Sequence, residues 1–99
     1  MITRIVKLTF KPESVQGFKE IFYASQKQIL AFEGCIRVDL MNDINNECTF
    51  FTLSYWTSEE DLDNYRYSYL FINTWSKVKP LFSEKAEAWS LSLNQNKSI

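Results

Sequence analysis

Tyr65 and Tyr69 stand four residues apart, the spacing that places two phenols on one face of a helix. Such a pair suits a pocket between helix and sheet; it equally suits an amphipathic core with its hydroxyls at the rim. Arg37 and Asp39 alternate along a strand-like run and so point the same way. On the helix side of a sheet they would serve a substrate hydroxyl or enolate. Ile36, Val38 and Leu40 compete for that side, and their burial would turn Arg37 and Asp39 to the opposite face. The chain has no histidine. Ser-His-Asp and Cys-His nucleophiles, His-based zinc sites and histidine haem ligation are thereby excluded, leaving acid–base work to a carboxylate, Tyr, Lys or water. The only cysteines, Cys35 and Cys48, fall at separated places on a proposed hairpin and read as reduced, packed thiols.

The elements that must position these groups follow from periodicity. Residues 2–10 alternate well enough at Val6, Leu8 and Phe10 to predict a strand. Pro12 suits the first turn of a helix, and Val15, Phe18, Phe22, Ser25 or Gln26, Ile29 and Phe32 draw one stripe down about five turns. Gly34 is placed to end that helix in a left-handed conformation, and Gly17 inside it suggests a close approach. Residues 35–41 and 48–56 predict an antiparallel hairpin across the turn chemistry of residues 42–46. Ser58 reads as an N-cap with Asp61 at the third helical position, followed by a stripe of Leu62, Tyr65 and Tyr69. A break is expected near Leu70–Phe71, then continuation through Trp75 and Val78 to a stop before Pro80. Residues 85–93 form a strand with a small face (Ala86, Ala88, Ser90, Ser92) and a bulky one.

The order β-α-β-β-α-β predicts an α+β, ferredoxin-like antiparallel sheet with both helices on one face. Phe50, Phe51, Leu53, Tyr55 and Trp56 put apolar groups on both parities of a strand, so the second face is too apolar for water. A second copy packed sheet to sheet would cover it, making a homodimer. Ninety-nine residues support one domain, expected over 1–94 with a disordered tail at 95–99. Net charge is −1, with no basic cluster and no basic Gly-aromatic strand motif, which argues against nucleic-acid partners. No apolar run of spanning length or signal-peptide core is apparent, so the expectation is a cytoplasmic protein with no membrane association.

The segment from Trp56 through Ser58, Leu62, Tyr65 and Ser68 to Phe71 resembles the antibiotic biosynthesis monooxygenase family. There a strand-ending Trp is followed by a capping Ser, a Leu, usually a His, then Ser and Phe. Gly34-Cys35 at the start of the second strand matches another family habit. The likeness in element order spans nearly the whole chain. It implies a dimeric α+β barrel and a cofactor-free monooxygenase acting on a small aromatic of quinol or polyphenol type, with no metal. Trp56 would orient or polarise that substrate, and Tyr65 takes the place of the helix His; these are the candidate catalytic residues. A free phenol titrates near about 10, a poor base where an imidazole near about 6.5 would serve. The quinone-forming branch works through positions that are here Thr52 and Leu62, and the haem-degrading branch through positions that are here Val6 and Trp75, which sets haem chemistry aside. With Tyr69 these four form the expected substrate-binding set. Structural readings stand beside the functional ones: Trp56 as core at a strand–helix corner, Trp75 as pocket filler. A dimeric binding or structural module that keeps the fold without its chemistry is the alternative.

Overall fold

The computed structural model describes residues 1–94, and the tail expected at 95–99 lies outside the described residues. The elements run β1 (Ile2–Thr9), α1 (Val15–Leu30), β2 (Cys35–Asp43), β3 (Asn46–Trp56), α2 (Glu59–Arg66), α3 (Tyr69–Val78) and β4 (Glu87–Ser92). The strands form one antiparallel sheet in the order β2-β3-β1-β4. This is the α+β, ferredoxin-like fold that the element order predicts, with the second helix divided in two.

The helix side of the sheet holds the core. Phe18, Phe22, Ser25 and Ile29 of α1 are buried, as the stripe requires. They meet Leu8, Phe10, Val38 and Phe50 from the sheet and Val78 from α3. Phe10 stacks on Phe18 with ring centroids 4.1 Å apart. Each such side chain contributes about 1.5–3 kcal/mol by leaving water. Ser25 fits the apolar stripe because its hydroxyl donates to the Ile21 carbonyl at 2.9 Å, so no polar group is left unpaired.

Two glycines differ from expectation. Helix α1 ends at Leu30 with Ala31 as its cap, so Gly34 does not close it. Gly34 lies in the turn into β2 with φ of 85°, and its carbonyl accepts the Thr57 N–H at 2.9 Å. A Cβ on Gly34 would collide with the Asp61 side chain, so glycine is what lets β2 start against the first turn of α2. Gly17 makes no close approach: a Cβ there meets nothing within 4 Å.

The break in the second helical stretch comes earlier than Leu70–Phe71. Ser68 separates α2 from α3: its Oγ accepts the Phe71 N–H at 3.1 Å and donates to the Tyr65 carbonyl at 2.6 Å. The hydroxyl thus serves the end of one helix and the start of the next. Tyr69 therefore begins a new helix, loses the face it would have shared with Tyr65, and is 82% exposed.

Register decides the faces of the hairpin. Val38 is buried opposite Ser54, so Arg37 and Asp39 turn away from the helices and pair with each other. They share that outer face with Ile5, Met41, Phe51, Leu53, Tyr55, Trp89 and Leu91, an apolar surface on which Trp89 and Leu91 are 43% and 47% exposed. No described element covers it. Strands β2 and β3 extend two residues further than expected, to a tight turn at Ile44–Asn45 where Asp43 Oδ1 accepts the Asn45 N–H at 2.8 Å.

The two glycines should respond oppositely to substitution. Gly17→Ala is expected to stabilise by about 0.5–1 kcal/mol through helix propensity, and Gly34→Ala to destabilise by about 1–3 kcal/mol. Urea denaturation of the two variants beside the parent protein checks both signs.

Candidate functional site

Between the sheet and helices α1, α2 and α3 lies a cavity of about 350 Å³, within the range of about 300–1,000 Å³ typical of small-molecule sites. It exists because the sheet supplies small side chains where the helices supply large ones. Val6, Thr52, Ser54, Ala86 and Ala88 make the floor. Leu62, Tyr65, Phe71 and Trp75 make the roof. The small face of the last strand, legible as an alternation of Ala and Ser, is thus the side turned toward the helices.

Trp56 closes one end. It is the last residue of β3, wholly buried, and its Nε1–H donates to Ser54 Oγ at 2.9 Å. Its ring stacks on Tyr65 with centroids 5.0 Å apart and planes 24° from parallel. Tyr65 also meets Phe32 and Phe71 edge-on, and Phe71 stacks on Trp75 at 5.8 Å. The wall is a continuous chain of rings. The corner that aims Trp56 is locked by the Ser58 cap, whose Oγ accepts the Asp61 N–H at 3.1 Å, and by the hydrogen bond from Thr57 Oγ1 to Asp61 Oδ2.

Electrostatics assign the protonation states. Burial, reinforced by the nearby Cys35, pushes the Tyr65 phenol far above its ordinary value. Burial likewise raises the Cys35 thiol, partly opposed by its hydrogen bond to the Arg37 carbonyl. Burial therefore favours the neutral phenol of Tyr65 over a base. Burial and the neighbouring charge of Arg66 lower the pKa of Arg4, while Asp63 acts in the other direction.

Six of the seven residues singled out in the sequence line this one cavity: Val6, Thr52, Trp56, Leu62, Tyr65 and Trp75. Tyr69 does not; it points to solvent from the first turn of α3. Trp75 lies along the roof and leaves the space open rather than filling it. Arg37 and Asp39 belong to the outer face. Sequence reasoning missed Ser54, the acceptor for Trp56, and the two arginines in the lining, Arg4 and Arg66. Arg4 carried a readable signal, since it shares the parity of Val6 and Leu8 and so is a charge on the inward side of β1. Arg66 had none beyond following Tyr65.

Two outcomes test this geometry. Ser54→Ala leaves the buried indole N–H without its acceptor and should cost about 1–3 kcal/mol in urea denaturation. Tyr65 keeps its proton more tightly when folded, so its contribution is complete below the unfolded phenol pKa of about 10 and is lost as pH rises through the folded value. Alkaline denaturation of Tyr65→Phe should accordingly fall less steeply with pH above about 10 than that of the parent protein.

Comparison with known proteins agrees with the fold. The family model for antibiotic biosynthesis monooxygenase matches residues 1–75. A conserved protein from Methanosarcina mazei Go1 is 25% identical, with 92% of this chain and 91% of that one aligned at a TM-score of 0.86. Rv0793 from Mycobacterium tuberculosis is 18% identical over 98% of both chains at a TM-score of 0.87. A solved antibiotic biosynthesis monooxygenase superimposes at a TM-score of 0.88 with 15% identity, over 95% of this chain and 99% of that one. No curated protein sequence matches. With the family model covering most of the sequence and the fold shared along its length, the chain belongs to the antibiotic biosynthesis monooxygenase family.

Proposed function

We propose that residues 1–94 act as one domain, a cofactor-free monooxygenase that oxidises a small aromatic of quinol or polyphenol type inside the helix–sheet cavity. The observation that carries this reading is the cavity itself, a ring-lined space of about 350 Å³ bounded by the stacked pair Trp56 and Tyr65. A flat, electron-rich ring fits such walls by offset and edge-to-face contact. The substrate anion transfers an electron to O₂, the two radicals join as a carbon-bound peroxide, and proton uptake with loss of water leaves a ring carbonyl. Hydroxyarene plus O₂ gives quinone plus water, with all four electrons supplied by the substrate. Trp56 and Tyr65 serve this by orientation, Val6, Thr52, Leu62 and Trp75 by shaping the site, and the enclosure by excluding water.

The outer sheet face supports a homodimer as the working form. Ile5, Phe51, Leu53, Trp89 and Leu91 present one apolar surface, and a second copy packed sheet to sheet would remove it from water. Leu53→Glu should convert the dimer to monomer in sedimentation velocity at micromolar concentration; a parent protein that sediments as a monomer overturns the assembly. We place this activity in the cytoplasm, without nucleic acid. No helix among the described residues is long and apolar enough to cross a membrane.

A second reading, a dimeric module that binds small molecules without catalysis, is favoured by one observation: Tyr65 stands where the family resemblance implies a His, in a buried setting that raises its pKa. Oxygen-electrode measurements with a panel of quinols separate the two. Uptake above buffer, reduced about tenfold or more in Trp56→Phe, is the outcome expected of an oxygenase; no uptake across the panel leaves the binding module.

A further inference from the structure

Among the described residues the cavity lining contains two charged side chains, and both are arginines: Arg4 from β1 and Arg66 from α2. No carboxylate, lysine or cysteine lies among the described lining residues, and the chain has no histidine. Arg4 donates from Nη1 to Ser90 Oγ at 2.9 Å, a neutral partner. Asp63, whose charge also acts on Arg4, lies 3.8 Å from Arg66 in a half-exposed pairing one helical turn back, and cancels one of the two charges. Tyr65 is the other titratable lining group, and α3 and β4 add none to the lining. Among the described residues, this net positive, largely apolar cavity thus has no group able to take a proton from a ligand near neutral pH.

A positive charge within about 4–6 Å of an ionisable group favours its anionic form, typically by one to three pH units. A guanidinium also binds an oxyanion by directed, charge-assisted hydrogen bonds. Those two facts answer what the missing base would otherwise do. We propose that the cavity takes its aromatic ligand as an oxyanion, a phenolate or enolate bound by the Arg4 and Arg66 guanidinium groups, with ionisation supplied by the ligand's own acidity and water rather than by a protein base. This rests on the cavity being the substrate site. The substrate class narrows accordingly to hydroxyaromatics acidic enough to ionise near neutrality once a cation is beside them. Arg4 and Arg66 select among ligands by charge, while the ring wall accepts them by shape.

The sign of a pKa change tests this directly. 4-Nitrophenol reports its own ionisation by colour, and an apolar cavity without cations would raise its pKa on binding, whereas a cationic one lowers it. Titration of the probe over pH with saturating protein should show the bound pKa reduced by about one pH unit or more. Arg66→Gln, at an exposed position, should remove part of that reduction, and Arg4→Gln with Arg66→Gln should weaken phenolate binding about tenfold or more. Arg4→Lys with Arg66→Lys keeps the charges and should retain the reduction in part. Binding with a raised or unchanged pKa, or a reduction indifferent to Arg66→Gln, overturns oxyanion selection and leaves an aromatic-binding cavity standing. No binding of either form by the parent protein overturns the cavity reading as well.

Discussion

The contact on which the rest of this structure depends is the stack of Trp56 on Tyr65. It joins the last residue of β3 to the last turn of α2, and so fixes how far the second helical layer stands from the sheet. The indole cannot shift without breaking its hydrogen bond to Ser54 or exposing a ring that is wholly buried. Behind it, the turn at Gly34, the Ser58 cap and Asp61 hold the corner rigid, because glycine's missing Cβ lets β2 begin against the start of α2. A cavity beside so fixed a joint has a definite shape, which is what preorganised recognition requires.

Packing follows from that spacing. Around Phe10 the sheet and α1 meet through stacked and tilted rings, Phe10, Phe18 and Phe50. Toward β4 the sheet presents Thr52, Ser54 and Ala88, while α2 and α3 keep large side chains at a distance set by Trp56, so volume remains. One layer therefore contains both a packed core and a hollow, and Leu8, Phe18, Phe22, Ile29 and Val38 belong to both. The difference lies in side-chain size along the floor, not in any change of backbone architecture.

The two faces of the sheet divide the labour. The inner face carries the cavity and its arginines; the outer carries the apolar surface together with the Arg37–Asp39 and Lys7–Glu87 pairs. Charges on the outer face are paired with opposite charges, whereas the Arg4 guanidinium on the inner face has only a hydroxyl within hydrogen-bonding distance. The inner arginines are the more informative pair, because two cations share the one counter-charge of Asp63 and together favour an anion supplied from outside.

Much was legible in the residues alone. The 3.6-residue stripe of α1, the alternation of β1 and β4, and the turn chemistry near Ile44 are local signals, and local signals survive in a sequence because they rest on neighbouring backbone geometry. Six of seven expected site residues line one cavity; the family resemblance pointed to them, and periodicity supplied only the elements that carry them. Tyr69 failed because Ser68 offers its hydroxyl to both flanking backbones and resets the helix, a competition between capping and continuation that spacing does not resolve. The face taken by Arg37, the meeting of Arg4 with Arg66, and the choice of Ser54 as partner for Trp56 were decided only in three dimensions. Each depends on strand register and on the approach of elements distant in the chain, where a one-residue slip would reverse every face.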